Sequence, residues 1–247
     1  GALWLGRRMA RPIGDLANAA EKIRTLQLNP PPLVGRSRLT ELDNAANAFN
    51  SMVSGLRWFE TYVPRALVRS LLADDDDSIV MSAERDVTVI FTDIRSFTTL
   101  AESMTATETA EFLNKHFSVV AGCVEDEGGT VDKYIGDSVM AFWGAPYAVE
   151  DHAARACRAA IALRDLIAKE NAENEKQGQP ILKMGIGIHS GKVIAGNIGA
   201  PGRVNYTLVG DTVNLAQRLE RLCKPLADPT NAVTILISRD VAEALRG

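Results

Sequence analysis

Three consecutive prolines constrain the folding of the first part of this chain more than any other feature. They lie within Asn29–Ser37, and no regular helix can pass through them because proline fixes φ and lacks a backbone N–H. Apolar residues recur at spacings of three and four on both sides of this segment. The two series are Ile13, Leu16, Ala20 and Ile23 before the prolines, and Leu42, Ala45 or Ala46, Phe49, Met52 or Val53 and Leu56 after them. The sequence therefore predicts two helices, each with one apolar seam, joined by a non-helical connector.

Two short helices of this kind cannot bury their seams alone, so a dimeric helical bundle is the expected arrangement. With its basic start, Pro12 and the stretch Ala48–Met52, this region resembles a HAMP domain, the parallel four-helix relay that follows membrane helices in bacterial receptors. We assign it residues 7–56, an all-α, HAMP-like coiled-coil helical hairpin. A generic dimerising coiled coil is the alternative.

The first residues point towards a membrane. A short apolar piece with Trp4 precedes Arg7, Arg8 and Arg11, which is typical of the cytoplasmic end of a transmembrane helix but also of an ordinary helix start. No apolar run in the chain reaches the roughly 20 residues needed to span a bilayer. We therefore expect residues 1–6 to be the end of an upstream transmembrane segment, with the rest at the cytoplasmic face of the cell membrane.

The pattern changes after a linker over residues 57–84, which combines a predicted helix with the acidic run Asp74–Asp77. Short apolar runs bounded by turn residues then alternate with amphipathic helices, which predicts an α+β domain over residues 85–247. One strand ends at Thr92–Asp93, a hairpin turns near Gly136, and two further strands are predicted on either side of Ser190–Gly191.

Composition excludes several classes of function. The 247 residues are 46% apolar and 23% charged, the balance of an ordinary globular protein. The net charge of -4 argues against nucleic-acid binding through a broadly basic surface. The three cysteines, Cys123, Cys157 and Cys223, match no metal-ligand spacing, so we expect reduced structural residues.

Two aspartates are candidate metal ligands. Asp93 and Asp137 each lie where an apolar strand meets a turn, and converging carboxylates form an oxygen-lined site suited to Mg²⁺ or Mn²⁺. Aspartates at strand ends also cap turns, so position alone leaves both interpretations open. The residues that follow Asp93 run from strand into helix, where free backbone N–H groups suit an anion.

A second candidate group lies near the end of the chain. Asn214 and Arg218 are four residues apart on a predicted helix and therefore share a face. An amide beside a guanidinium can hold an anionic group or a developing oxyanion. A solvated helix face explains the same spacing.

Four motifs in order resemble the class III nucleotidyl cyclases. They are "FTDIRSFTTL", "DKYIGDSVMAFWGAP", "GIGIHSGKVIAGNIG" and "NYTLVGDTVNLAQRLE", and together they cover residues 85 to about 222. The resemblance implies a ferredoxin-like, palm-type catalytic domain that converts ATP to 3′,5′-cyclic AMP and pyrophosphate. It also implies strands beyond Gly247, so we expect the catalytic domain to be truncated at its C-terminus.

The resemblance also implies roles for individual residues. Asp93, Asp137 and the backbone carbonyl of Ile94 would ligate two Mg²⁺ or Mn²⁺ ions per active site. The segment Phe97–Thr98 would approach the β- and γ-phosphates. The remaining roles are base recognition by Lys133 and Thr207, ribose orientation by Asn214, stabilisation of the α-phosphate by Arg218, and a triphosphate contact by Arg203.

The base and the assembly follow from the same resemblance. Guanine-specific relatives carry Glu and Cys or similar residues at the positions of Lys133 and Thr207, so we expect ATP as the substrate. Family members pair as head-to-tail homodimers in which one chain supplies the aspartates. Lys133, Thr207, Asn214 and Arg218 would come from the other chain.

Other functions are weighed against this one. A catalytically silent homologue that relays conformation through its dimer would have lost a metal aspartate, the lysine or the arginine, and this chain retains all of them. A guanylyl cyclase is the alternative for the base. A diguanylate cyclase would need a GGDEF-like turn, which "KYIGDSV" is not.

Overall fold

The computed structural model divides the chain into two units, residues 1–79 and 80–247. The residues that the structure describes are 13–23, 40–60, 82–200, 203–228 and 230–246. The expected membrane end at residues 1–6, the proline connector and most of the linker lie outside them. Within the described residues, no helix is long and apolar enough to cross a membrane.

The first unit contains the two predicted helices. Helix α1 covers residues 13–23 and helix α2 covers Thr40–Glu60. On the predicted seams, Val53 is buried and Phe49 is half-buried, whereas Ile13 is exposed. The two helical segments are therefore confirmed, and α2 continues four residues beyond the expected end of the hairpin.

The second unit contains six strands and five helices among its described residues. In chain order these are β1 Ala83–Ile94, α3 Phe97–Ala101, α4 Ala106–Asp126, β2 Thr130–Ile135, β3 Ser138–Trp143, α5 His152–Lys176, β4 Met184–Ala200, β5 Arg203–Val209, α6 Asp211–Leu222, β6 Val233–Ile237 and α7 Arg239–Ala244. The expected α+β class and the hairpin around Gly136 are confirmed.

All six strands form one sheet, in the order β2-β3-β1-β4-β5, with β6 also paired to β4. The pairs along this order are antiparallel, and β6 lies parallel to the first half of β4. The second half of β4 pairs with β5 instead. The 17-residue β4 therefore pairs with three strands, β1, β5 and β6.

Each face of the sheet has its own core, because alternate strand residues point to opposite faces. On one face, Ile90 and Ala141 pack against α4 and α5, where Leu163 is 2% exposed. On the other face, Val89 and Phe142 pack with residues of β5 and α6. The long helices thus cover one face, and α6, which carries Asn214 and Arg218, lies on the other.

The prediction of two strands around Ser190–Gly191 is wrong, because β4 runs through both residues without a turn. Gly191 is in register with Val87, and the Ser190 hydroxyl lies 2.7 Å from the hydroxyl of Thr88 in the interior. A serine beside a glycine is a common turn signal. Here the serine finds its hydrogen-bond partner across the sheet, so the turn is not needed.

Two glycines in β4 let helix α6 lie directly on the sheet. A Cβ at Gly187 would come within 2.4 Å of the Ala216 carbonyl oxygen, and one at Gly185 within 2.8 Å of the Cys223 Cβ. Ala216 and Cys223 are both completely buried. Side chains at these two strand positions would push α6 away, so the glycines set its distance from β4.

Candidate active site

The structure brings the two predicted metal aspartates together. Asp93 lies near the end of β1, and Asp137 lies in the turn between β2 and β3. The backbone N–H of Ile94 donates to Asp137 Oδ2 at 3.1 Å, and the Ser138 hydroxyl donates to Asp93 Oδ1. Both aspartates are half-buried. Sequence reasoning missed Ser138, which orients one of the two carboxylates.

The two carboxylates of this pair repel each other when both are ionised, and a bound cation would reduce that repulsion. Burial, and after it the negative charge of Asp93, raises the pKa of Asp137 above its usual range. A third carboxylate, Glu220 on α6, has its pKa raised to about 7, mainly by burial and further by Asp93 and Asp137. Negative charges that disfavour one another in this way create a site that favours a cation.

Glu220 was not found from the sequence. Its Oε1 lies 3.2 Å from the position that a Cβ would occupy at Gly185, and Gly185 is the register partner of Asp93. The absent side chain at Gly185 therefore leaves room for Glu220 beside the aspartates. The alternating glycines of the "GIGIHSG" motif were the available signal for this close approach of α6.

The donor set fits a hard divalent ion. Asp93 and Asp137 supply carboxylate oxygens, which Mg²⁺ prefers, and Mg²⁺ commonly binds through one or two carboxylates with phosphate and water completing its shell. Within the described residues, no group of three or more His, Cys, Asp or Glu side chains is arranged to hold a metal ion. The pair therefore fits an ion that a nucleotide helps to bind.

The start of α3 lies directly after the aspartate of β1. Ser96 has a positive φ of 56°, and the first hydrogen bond of the turn runs from the Leu100 N–H to the Ser96 carbonyl. The N–H groups of Phe97 and Thr98 precede this bond, and such groups have no acceptor within a helix. The two residues predicted to approach the phosphates are therefore next to the carboxylate pair.

Lys133 and Thr207 are also brought together. Lys133 Nζ donates to Thr207 Oγ1 at 3.0 Å, and Thr207 Oγ1 donates to Asp132 Oδ2 at 2.7 Å. Lys133 also forms an ion pair with Asp132 at 3.2 Å. We call Asp132, Lys133 and Thr207 the selection cluster. The sequence analysis predicted two of its members and missed Asp132.

The selection cluster depends on a curved sheet. Lys133 is on β2 and Thr207 is on β5, and these strands lie at opposite ends of the order β2-β3-β1-β4-β5. A flat sheet with strands about 4.8 Å apart would hold the two residues far from each other. Their contact shows that the sheet curls around the core that contains Phe91 and Leu208.

Within the described part of the chain, Asn214 and Arg218 form no hydrogen bond or ion pair with either group. They occupy α6, whose buried residues are Thr212 and Ala216, and both side chains are exposed. Among the described residues, no hydrogen bond or ion pair joins the selection cluster to Asp93 or Asp137. The predicted residues therefore form separate groups on one chain. Arg203 begins β5 opposite Ala200, and its side chain lies outside the described part.

Two family matches cover most of the chain. Residues 79–246 match the adenylate and guanylate cyclase catalytic domain. Residues 4–58 match the HAMP domain. These ranges contain all the predicted site residues, the whole of α1 and all but the last two residues of α2.

The chain is similar to bacterial cyclases in sequence and structure. It is 33% identical over 223 residues to adenylate cyclase 1 of Rhizobium meliloti (strain 1021). The aligned region covers 90% of this chain and 33% of that protein. The chain thus spans about a third of the length of that relative.

Two solved structures extend the comparison. The adenylyl cyclase CyaB from P. aeruginosa matches with a TM-score of 0.60 at 32% identity, covering 67% of this chain and 83% of that one. The guanylyl cyclase Cya2 matches with a TM-score of 0.57 at 32% identity, covering 66% of this chain and 79% of that one. Since both kinds of cyclase match about equally well, the choice of base depends on the residues of the site.

Proposed function

We propose that the chain is an adenylyl cyclase, because it belongs to the family of adenylate and guanylate cyclase catalytic domains. A HAMP domain precedes its catalytic domain. The reaction is attack of the ribose 3′-OH of ATP on the α-phosphate, which forms 3′,5′-cyclic AMP and releases pyrophosphate. We choose ATP over GTP as the substrate because Lys133 and Thr207 are in contact with each other.

The carboxylate pair is the proposed metal site. Asp93 and Asp137, with the backbone carbonyl of Ile94, would hold two Mg²⁺ or Mn²⁺ ions. Bound ions of this kind favour ionisation of the attacking hydroxyl and neutralise the triphosphate. Ser138 holds the Asp93 carboxylate in place, and the Ile94 N–H holds that of Asp137. The N–H groups of Phe97 and Thr98 then bind the β- and γ-phosphates.

The selection cluster is the proposed base site. The Lys133 ammonium only donates hydrogen bonds, and N1 of adenine accepts one whereas N1–H of guanine donates. Thr207 Oγ1 accepts from the adenine 6-amino group. Glutamate and cysteine would reverse these roles, which is why the two residues present favour ATP.

The remaining residues act from the partner chain of a homodimer. Asn214 and Arg218 are exposed on α6 of their own chain, where they are available to a second molecule. In a head-to-tail dimer, each site takes Asp93 and Asp137 from one protomer. Lys133, Thr207, Asn214 and Arg218 come from the other, with Asn214 on the ribose and Arg218 on the charge that develops at the α-phosphate.

The HAMP domain supplies the proposed input. HAMP helices form a parallel bundle between two protomers, and this bundle would hold the catalytic domains at high effective concentration. We place the chain at the cytoplasmic face of a membrane, attached through an upstream segment. A signal received there would change the geometry of the catalytic dimer through residues 57–84.

Product analysis tests the proposal. The purified chain is incubated with Mn²⁺ and either ATP or GTP, and the products are separated by chromatography and identified by mass. Cyclic AMP and pyrophosphate in equal amounts are expected from ATP, with less cyclic GMP from GTP. Dominant cyclic GMP would make the chain a guanylyl cyclase. No cyclic product, while nucleotide still binds, would make it a silent relay.

A further inference from the structure

The selection cluster contains a buried carboxylate to which no role has been given. Asp132 precedes Lys133 in β2, and its side chain is only 2% exposed. The pairing of β2 with β3 shifts register here, since Val131 is opposite Ala141 and Lys133 is opposite Met140. This bulge leaves Asp132 without a partner in the ladder and lets two consecutive side chains reach the same hydroxyl.

The three groups of the cluster determine where the Thr207 proton lies. The Lys133 ammonium has donors and no acceptor, and an ionised Asp132 has acceptors and no donor. Thr207 has a single hydroxyl proton, so it donates that proton to Asp132 Oδ2 at 2.7 Å and accepts from Lys133 Nζ at 3.0 Å. The hydroxyl then has one free lone pair and no free proton. Towards a ligand, Thr207 can only accept.

An oriented hydroxyl of this kind distinguishes the two purines. The adenine edge presents a 6-amino donor and the N1 acceptor, whereas the guanine edge presents the O6 acceptor and an N1–H donor. A free lone pair on Thr207 matches the 6-amino group and repels O6. A hydroxyl that could rotate would donate to O6 equally well, so threonine alone does not select adenine.

We propose that Asp132 is a positioning residue for base selectivity: it binds the proton of Thr207 and thereby makes that hydroxyl an acceptor for the adenine amino group. The inference rests on the proposed function and deepens it. Burial raises the pKa of Asp132, and the hydrogen bonds from Thr207 and Lys133 oppose that effect. The ion pair with Lys133 stabilises the carboxylate form that the hydroxyl requires.

The test compares Asp132→Asn with Thr207→Val in the chain of 247 residues. An amide at position 132 can donate to Thr207 and so permits both hydroxyl orientations, whereas valine has the shape of threonine and no hydroxyl. Each variant should lower the ratio of kcat/KM for ATP to that for GTP by roughly tenfold, the value of about one net hydrogen bond. Thr207→Ser, which keeps the hydroxyl, should retain the wild-type ratio.

The double variant separates positioning from a structural role. If Asp132 acts through the hydroxyl, Asp132→Asn should change the ratio no further once Thr207 is valine. An additional tenfold change in that background would overturn the proposal. So would a loss of activity by Asp132→Asn that is equal for both nucleotides, because a merely structural role predicts it. If Asp132→Asn does not fold, an unchanged ratio in Thr207→Val contradicts the proposal on its own.

A binding measurement keeps this inference distinct from the proposed function. 3′-Deoxy-ATP and 3′-deoxy-GTP lack the attacking hydroxyl, so their affinities with Mn²⁺ report base recognition without turnover. The wild-type chain should prefer 3′-deoxy-ATP, and Asp132→Asn should reduce that preference. If no cyclic AMP forms but the preference changes as described, the proposed function fails and the role of Asp132 remains. An unchanged preference in a folded variant refutes the role of Asp132.

Discussion

The carboxylate pair of Asp93 and Asp137 and the selection cluster each take one carboxylate from the β2–β3 hairpin. Burial raises the pKa of both carboxylates, but the neighbouring charges differ in sign. At the pair, the charge of Asp93 adds to the effect of burial on the pKa of Asp137. At the cluster, Thr207 and Lys133 oppose the effect of burial on the pKa of Asp132. Asp137 thus has a like charge beside it, whereas Asp132 has an ammonium and a hydroxyl donor beside it.

This difference indicates what each region needs from its ligand. The selection cluster is complete in a single chain, because each of its polar groups has a partner before any nucleotide arrives. Among the described residues, no lysine or arginine forms an ion pair with Asp93 or Asp137, so a bound cation would relieve the repulsion between the two carboxylates. Under the proposed function, recognition of the base would therefore be pre-organised, whereas the chemical centre would be assembled together with the metal and the nucleotide.

The largest expected effect comes from removing one member of the pair. Asp93→Ala should leave folding and dimerisation intact but lower cyclic AMP formation by about a hundredfold or more, since a lost metal ligand costs several kcal/mol of transition-state stabilisation. Asp86→Ala is the matched control, because Asp86 is an exposed aspartate on the same strand. Activity above about a tenth of wild type in Asp93→Ala would contradict the metal assignment.

The next prediction tests whether the two regions serve different active sites of one dimer. Asp93→Ala and Arg218→Ala should each be inactive as homodimers, because both sites then carry a defect. In mixed dimers one site combines intact Asp93 with intact Arg218. Random pairing makes about half of all dimers mixed, so co-expression should restore about a quarter of wild-type activity.

The contradicting outcome is equally clear. Co-expressed chains that are demonstrably mixed and still as inactive as their parents would place both groups in the site of one chain. Co-expression of Asp93→Ala with Asp137→Ala is the control. Those two defects affect the same half of the site, so no activity should return.

A smaller effect is expected from changing the base preference. Lys133→Glu combined with Thr207→Cys exchanges donor and acceptor roles at the base, so the ratio of GTP to ATP turnover should rise by at least tenfold. The measurement is kcat/KM for each nucleotide at saturating Mn²⁺. If the ratio does not move while both nucleotides still react, the cluster does not face the base.

The smallest effect concerns pH and the charge at the carboxylate pair. In the folded chain the pKa of Glu220 is raised from 4.5 to about 7. Between these values the folded state binds more protons than the unfolded state, so its free energy of unfolding should fall as pH rises through this range. Denaturant unfolding without divalent cations should show this slope, and Glu220→Gln should reduce it.

A matched variant distinguishes the contribution of Glu220 to this slope from that of an exposed glutamate. Glu173 is an exposed glutamate on α5, far along the chain from the site. Glu173→Gln should leave the slope between pH 4.5 and 7 as it is in wild type. Identical profiles for the two variants would mean that the pKa of Glu220 is not raised in the folded chain.

Much of this architecture was predictable from local pattern. The hairpin that carries Lys133 and Asp137, the helix that carries Asn214 and Arg218, and both helices of the first unit follow from periodicity and turn residues. The site residues were predicted from the family resemblance, because the order of four motifs is specific even where each one is short. The strand break at Ser190–Gly191 was wrong, since a local turn signal does not include partners on another strand.

What the sequence determined by itself is the set of elements and the residues with chemistry at their ends, because these depend on neighbours within a few positions. Only the tertiary structure decided the positions of Asp132 and Glu220. Asp132 meets Thr207 because a bulge interrupts strand alternation and the sheet curls until its two edges touch. Glu220 lies close to Asp93 because Gly185 and Gly187, which have no side chains, allow α6 to pack closely against the sheet. Curvature and close approach arise from packing across the whole domain, so no local pattern encodes them.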